Sequence, residues 1–325
     1  MRSIKIVPMF LVALGLSCTA GAQTWPTKAI RVIAPYLPGN SDLHIRGLAP
    51  VLEKILGQPL VIENRPGAGG VIGTEMVKKA EPDGYTLLMV GSSALTVLPH
   101  LRPTPYALED FTPVANLTAT PLVLAVRADG PYTNFKEFIA YAKRNPGKLT
   151  LGSGGTGTAS HIVAEVLQNE AGIKFTHVPF QALPPAVAGM LSGDIDMVVG
   201  FTSVTAPHVA TGKFRFLSST ASKRSSSLPD VPTWKESGVD FVDETKITLV
   251  RPKGMPPDVL KRLDEAVRQA TATQAYNETM TKAGIQVMHL GSAELASVLK
   301  ADSNFWEKQF RDNPGLRALK GQAVN

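Results

Sequence analysis

LTLGSGGTGTASHIVAEVL, residues Leu149 to Leu167, is the stretch on which the fold turns. Its first residues have the apolar character of a short strand, and the run after the glycines has helical spacing. Between them, Gly152-x-Gly154-x-x-Gly157 matches the dinucleotide fingerprint of a Rossmann unit letter by letter. That fingerprint also needs an acidic residue about 20 positions on, at the tip of the next strand, to hold a ribose hydroxyl. The next strand, KFTHVPF, carries His177 and ends in Pro179 and Phe180, with no Asp or Glu. A nicotinamide cofactor is not expected, nor is any other cofactor. The physics of the turn survives that exclusion. A glycine turn at a helix start points N–H groups outward, and the helix dipole adds partial positive charge. Glycines let a ligand approach the backbone closely. Ser153, Thr156, Thr158 and Ser160 add hydroxyls, so Ser153, Gly154, Gly155, Thr156, Thr158 and Ser160 form a candidate carboxylate nest.

The same strand–turn–helix grammar extends on both sides. AIRVIAPY, PLVIEN and YTLLMVG read as strands, with helices in SDLHIRGLAPVLEKILG and VIGTEMVKKAE between them. Leu43, Leu48, Leu52 and Ile55 fall near one stripe of the first helix, and Gly57 can stop it. This βαβαβ order predicts a parallel sheet covered by helices. The pattern restarts with PLVLAVRAD and runs through NFKEFIAYAKRN, the opening stretch, KFTHVPF, LPPAVAGMLSG and IDMVVG. TKITLVRPKGMP then reads as a strand returning toward the first half, followed by two long helical segments. Two α/β lobes are expected, each a mainly parallel sheet flanked by helices. The second, 123–245, is inserted into the first, 23–122 and 246–325, with two crossing strands between them.

In open α/β sheets ligands sit at the carboxyl ends of the strands. Two turns of the first lobe join the glycine turn there: PYLPGNSD after the first strand, and Gly91, Ser92 and Ser93 after the third. Three polar strand-end turns on two lobes suggest a cleft with two jaws.

The chain begins with Met1, Arg2 and Lys5, then an apolar run and small residues ending at Ala20-Gly21-Ala22. This is the shape of a secretory signal, residues 1–22, cleaved near Ala22 to give an exported, periplasmic protein. No later stretch reaches the roughly 18 apolar residues of a membrane span. Cys18, the only cysteine, lies within that signal, which excludes disulfides, thiol nucleophiles and Cys-bound metals from the mature chain. The net charge of +6 falls to a mild +4 once Arg2 and Lys5 are removed, and aromatics are only 6%, so no nucleic-acid surface is expected. His44, His100, His177 and His208 lack metal-ligand spacing, and no metal site is expected. No G-x-S-x-G elbow or paired-carboxylate constellation is present. His161, one turn into the helix after the glycine turn, could donate to a ligand or simply pack.

WPTKAIRVIAPYLPGNSD, VIENRPGAGGVIG followed by PDGYTLL, GSGGTGTASHIVAEVL, VAGMLSGDIDMVV and SKRSSSLPDVPTWKESG carry a resemblance that extends over essentially the whole mature chain. On these motifs the sequence resembles the periplasmic solute-binding receptors of tripartite tricarboxylate transporters, the Bug receptors. The resemblance implies a two-lobed, Venus-flytrap receptor of type II-like architecture, without catalytic activity. Such a receptor, a monomer, captures a small carboxylate between its lobes and delivers it to a cognate membrane permease. Carried over by position, the site comprises Tyr36, Leu37, Gly39, Asn40, Ser41 and Asp42, then Ser92 and Ser93, then Ser153 through His161, with Phe180 and Gln181 beyond. In the family the Asp helps fix ordered water against the ligand. Here the first turn, Pro38-Gly39-Asn40-Ser41-Asp42, is one residue shorter than the usual Pro-Gly-Gly-x-x-Asp. Phe180-Gln181-Ala182-Leu183 replaces a Tyr-Lys-Gly-Gly pattern, and DETKITL stands where an aromatic segment often closes the cleft. Those departures imply a different, more polar ligand end. The alternative is an exported α/β enzyme on a carboxylate or ester, with His161 or Asp42 as acid or base. The absence of a nucleophile–base–orienter set favours the receptor.

Overall fold

The computed structural model describes residues 25–36, 43–225, 228–283 and 285–321. The expected signal segment lies outside the described residues, as do Leu37, Gly39, Asn40, Ser41 and Asp42.

The first half builds as its pattern predicts. β1 (Ile30–Ala34) lies parallel to β2 (Leu60–Asn64) and to β3 (Thr86–Gly91), with Ile30 opposite Leu60 and Arg31 opposite Thr86. The crossovers are α1 (Leu43–Leu56) and α2 (Val71–Lys78). Ile45, Leu48, Leu52 and Leu56 of α1 are buried against Ile30, Val32 and Leu87. After β3 come two single-turn helices, α3 (Ser93–Thr96) and α4 (Leu98–Leu101).

β4 then runs 17 residues, Phe111–Arg127, and belongs to two sheets in turn. Its first part pairs antiparallel with β9 (Glu244–Pro252), ending at Pro121 opposite Glu244, and with β10 (Gln286–Gly291). From Leu122 it pairs antiparallel with β7 (Met197–Phe201), and from Val123 with β8 (Phe214–Ser219). The first sheet is therefore ordered β2-β1-β3-β9-β4-β10 and the second β6-β5-β7-β4-β8, with β5 (Thr150–Ser153) and β6 (Thr176–Pro179) parallel. Each sheet is parallel in its first three strands and antiparallel where β4 joins, so the two are built alike around one shared strand.

Helices α5 (Phe135–Arg144), α6 (Ala159–Ala171), α7 (Leu183–Ser192) and α8 (Thr202–Ala210) belong to the second sheet. Asn134 caps α5 by accepting from the Glu137 N–H at 2.9 Å, and Phe135, Phe138 and Ala142 turn inward. Helices α9 (Pro257–Thr271) and α10 (Gln274–Lys282) cover the first sheet. The chain ends in α11 (Ser292–Asp312) and α12 (Pro314–Leu319). Trp306, Phe310, Leu316 and Leu319 share one buried cluster with Phe138, Leu151, Val163 and Leu167 of the second unit. The C-terminal segment thus packs on both units, although its position in the sequence assigns it to the first.

Thr220, fully buried, laces the crossings together. Its N–H donates to the Leu122 carbonyl at 2.9 Å, while its Oγ1 accepts the Leu122 N–H at 3.0 Å. The hydroxyl also donates to the Asp243 carbonyl, and the Asp243 N–H returns to the Thr220 carbonyl at 2.9 Å. Each chain passage between the sheets is hydrogen-bonded to this one residue.

Candidate functional site

A cleft of about 230 Å³ opens where the two units face each other. One wall comes from the first unit: Tyr36, Gly69, the segment Ser92–Leu98 without Leu95, Leu101, Thr245, Asp302 and Trp306. The other is the start of α6, with Gly157, Thr158, Ala159, Ile162 and Val163. Asp243, at the crossing, closes one side.

Strand ends position the first wall. β3 delivers Ser92, whose N–H donates to the Lys246 carbonyl at 2.7 Å, and the Lys246 N–H returns to Ser92 Oγ at 3.3 Å. This exchange ties the end of β3 to β9 and leaves Ser93, partly exposed, on the cleft side. Tyr36 follows β1, and its Oη accepts the Gly91 N–H at 3.3 Å. Burial pushes the Tyr36 hydroxyl above its ordinary pKa, against a smaller opposing effect of that hydrogen bond, so the phenol stays neutral.

The glycine turn differs from its sequence-level reading. Its N–H groups were expected to point out toward a ligand, but three of them are used inside the turn. The Gly154 N–H donates to Ser160 Oγ, the Gly155 N–H to Ser153 Oγ and the Gly157 N–H to His161 Nδ1, each at 3.1 Å. Thr158 Oγ1 donates to the Gly155 carbonyl at 2.7 Å. The α6 N–H groups of Ala159 and Ser160 have no such acceptor among the described residues, as expected in a helix first turn. Below the turn, His161 and His177 stack with ring centroids 3.6 Å apart and an interplanar angle of 13°. Ser153 Oγ lies 2.6 Å from His177 Nε2, and His161 Nε2 lies 3.6 Å from Glu165 Oε1. Burial, with a smaller electrostatic effect of the adjacent His161 ring, holds His177 down to about 4, so its ring is neutral at pH 7. Gly157 as donor makes Nδ1 of His161 the acceptor.

Of the positions expected to bind, Tyr36, Ser92, Ser93 and Thr158 line the cleft. Gly154, Gly155, Thr156 and Ser160 form the turn behind it. Ser153 and His161 are buried beneath, so neither presents a group to the cleft, and a serine with no exposed surface is no nucleophile for a substrate. Phe180 does not line the cleft: it packs over Gly152 and Gly189 in the second unit's apolar interior. Gln181 is exposed outside the cleft.

Asp243 and Asp302 were not foreseen as site residues. Lys246 Nζ holds Asp302 Oδ2 at 3.0 Å. Glu244 turns away to the Ser222 N–H and hydroxyl, at 3.0 and 3.1 Å. The Asp243 carboxylate takes no hydrogen bond among the described residues, and burial pushes it up to about 6 despite the pull of Lys246. The only sequence signal was DETKITL replacing an aromatic segment. Asp302 gives none, since one acidic residue on a mixed helix face is ordinary. Among the described residues, no cluster of three His, Cys, Asp or Glu could hold a metal, and no helix is long and apolar enough to cross a membrane.

Residues 45–313 match the tripartite tricarboxylate transporter family receptor profile. A Cupriavidus necator protein, described as a UPF0065 protein in the gbd 5′ region, is 38% identical over 309 residues, covering 94% of each chain. Among solved structures, an R. palustris protein with adipate is 26% identical, with a TM-score of 0.77 over 88% of this chain and 97% of its own. The malate-bound protein MatC of Rhodopseudomonas palustris is 28% identical, with a TM-score of 0.74 over 87% of this chain and 99% of its own.

Proposed function

We propose, since the chain belongs to the tripartite tricarboxylate transporter receptor family, that it captures a small carboxylate in the inter-lobe cleft and hands it unchanged to a membrane permease. The family is one of periplasmic solute-binding receptors, and two of the similar structures hold adipate and malate. The observation that carries the reading is the helix start in the cleft wall. The first turn of α6 offers N–H groups and the positive end of its dipole to a cavity of about 230 Å³. A carboxylate there needs no arginine partner. The units 23–122 with 246–325, and 123–245, act as two jaws that close by bending where Thr220 joins the crossings. Leu37, Gly39, Asn40, Ser41 and Asp42 join the ligand contacts on the strength of the family resemblance alone. The exported chain, cleaved near Ala22, works as a monomer.

The test is a thermal-shift screen of the mature protein against mono-, di- and amino-carboxylates. A ligand at 100 times its Kd stabilises by about 2.7 kcal/mol, a shift of several degrees. Mass spectrometry after long incubation should return that ligand intact. No shift from any carboxylate would overturn capture, and a converted ligand would overturn the receptor reading in favour of an enzyme.

A further inference from the structure

We infer that Asp243 is a specificity-determining residue, and that the preferred ligand is a small carboxylate that also carries a protonated amine. The inference rests on the capture reading and names the substrate class of that same cleft.

Among the described residues, the cleft wall contains two carboxylates, Asp243 and Asp302, and no lysine, arginine or histidine. The ammonium nearest them, Lys246, is not free to greet a ligand. It is only slightly exposed, sits 3.0 Å from Asp302, and also reaches the Glu244 carbonyl at 3.4 Å. Lys246 is committed to Asp302, and its remaining pull on Asp243 does not offset the burial of that carboxylate. The Asp243 backbone is fixed on both sides by Thr220, which holds the start of its side chain at the edge of the cleft. The neighbouring acid, Glu244, is already committed to Ser222.

A partly desolvated carboxylate with no hydrogen-bond partner is unfavourable unless something binds it. Its raised pKa has the same cause. A ligand with two carboxylates would set one negative end at the α6 N-terminus, whose partial charge is about half a unit, and bring the other toward Asp243. Like charges at such range repel. A ligand with one carboxylate for α6 and one ammonium for Asp243 satisfies both ends. The ammonium supplies the donors that Asp243 lacks, and the complex adds no net charge to the cleft.

Calorimetry on the mature protein with two matched pairs, aspartate against succinate and 2-aminoadipate against adipate, tests this. Each pair differs by one amine. In at least one pair the amine-bearing acid should bind at least tenfold more tightly. In Asp243→Asn that acid should weaken at least tenfold while its amine-free partner tightens, because the repulsion is gone and the amine has lost its counter-charge. Melting curves establish that the variant is folded, and the wild-type comparison does not depend on it. A tenfold preference for the amine-bearing acid in neither pair, or an unchanged preference in Asp243→Asn, would overturn the inference and leave carboxylate capture intact. Absence of binding by all four acids would overturn the inference alone, because capture falls only if the wider carboxylate screen is also empty.

Discussion

At the glycine turn the N–H groups of Gly154, Gly155 and Gly157 each find an acceptor within the turn, whereas across the cleft the Asp243 carboxylate finds none among the described residues. One region spends its polar groups on its own shape. The other holds a polar group in reserve. On the proposed reading the difference separates two jobs in one site: internal bonds fix the direction in which α6 points its free N–H groups, and an unsatisfied group on the facing wall would select what those groups receive. Positioning calls for saturation, because a loosely held turn would lose its aim. Selection calls for an open valence, because a saturated carboxylate has nothing left to offer.

The sharpest way to break the first region is Gly155→Val. Gly155 is buried with φ +120°, a conformation that a β-branched residue resists. We expect a loss of about 3 kcal/mol in stability and at least 100-fold in affinity for every carboxylate, with or without an amine. Denaturant unfolding and calorimetry read both quantities. Wild-type affinity in this variant would mean the turn does not aim α6 at the ligand.

A smaller effect should follow from Thr220→Val on the other side. The substitution keeps the shape but removes the hydroxyl shared by the Leu122 N–H and the Asp243 carbonyl, in a residue with no exposed surface. A buried donor and a buried acceptor are then left short of a partner, for about 2–3 kcal/mol. Because Asp243 loses an anchor, the preference for amine-bearing acids should also narrow, while Gly155→Val lowers all affinities alike. Equal selectivity in wild type and Thr220→Val would separate the crossing from recognition.

The sequence made one of these regions far more legible than the other. Glycine spacing and flanking apolar runs marked the strand, the turn and α6, since local periodicity carries that information. It could not show that the turn's N–H groups are used internally, because the acceptors, Ser153 Oγ, Ser160 Oγ and His161 Nδ1, depend on side-chain directions that spacing leaves open. The stack of His161 on His177 joins residues on α6 and β6 and is equally invisible locally. β4 read as a strand only from Pro121 onward. Its first half, FTPVANLTAT, mixes apolar residues with Thr and Asn, and becomes a strand because β9 and β10 flank it. Asp243 and Asp302 are brought together by the return crossing and by α11, a juxtaposition of residues far apart in the chain.

The two regions should also titrate in opposite directions. His177, held down to about 4 from an ordinary 6.5, binds its proton less readily folded than unfolded. Its contribution is present above pH 6.5 and is lost as pH falls through 4. Asp243, pushed up to about 6 from 3.8, binds its proton more readily folded than unfolded. Its contribution is present below pH 3.8 and is lost as pH rises through 6, so at neutral pH the ionised group is a cost. Water reaching the cleft screens part of that cost, leaving about 2 kcal/mol. Asp243→Asn should therefore melt higher than the ligand-free wild type at pH 7.5 and converge with it near pH 4. His177→Gln should differ from the wild type in the reverse sense, with a smaller loss of stability on acidification. Ligand-free melting curves from pH 4 to 8 decide the matter. If Asp243→Asn is no more stable than the wild type at pH 7.5, the carboxylate is already paid for by some partner in the free protein. A group so satisfied has no open valence with which to select a ligand, and the contrast between the two walls would then fail at its weaker member.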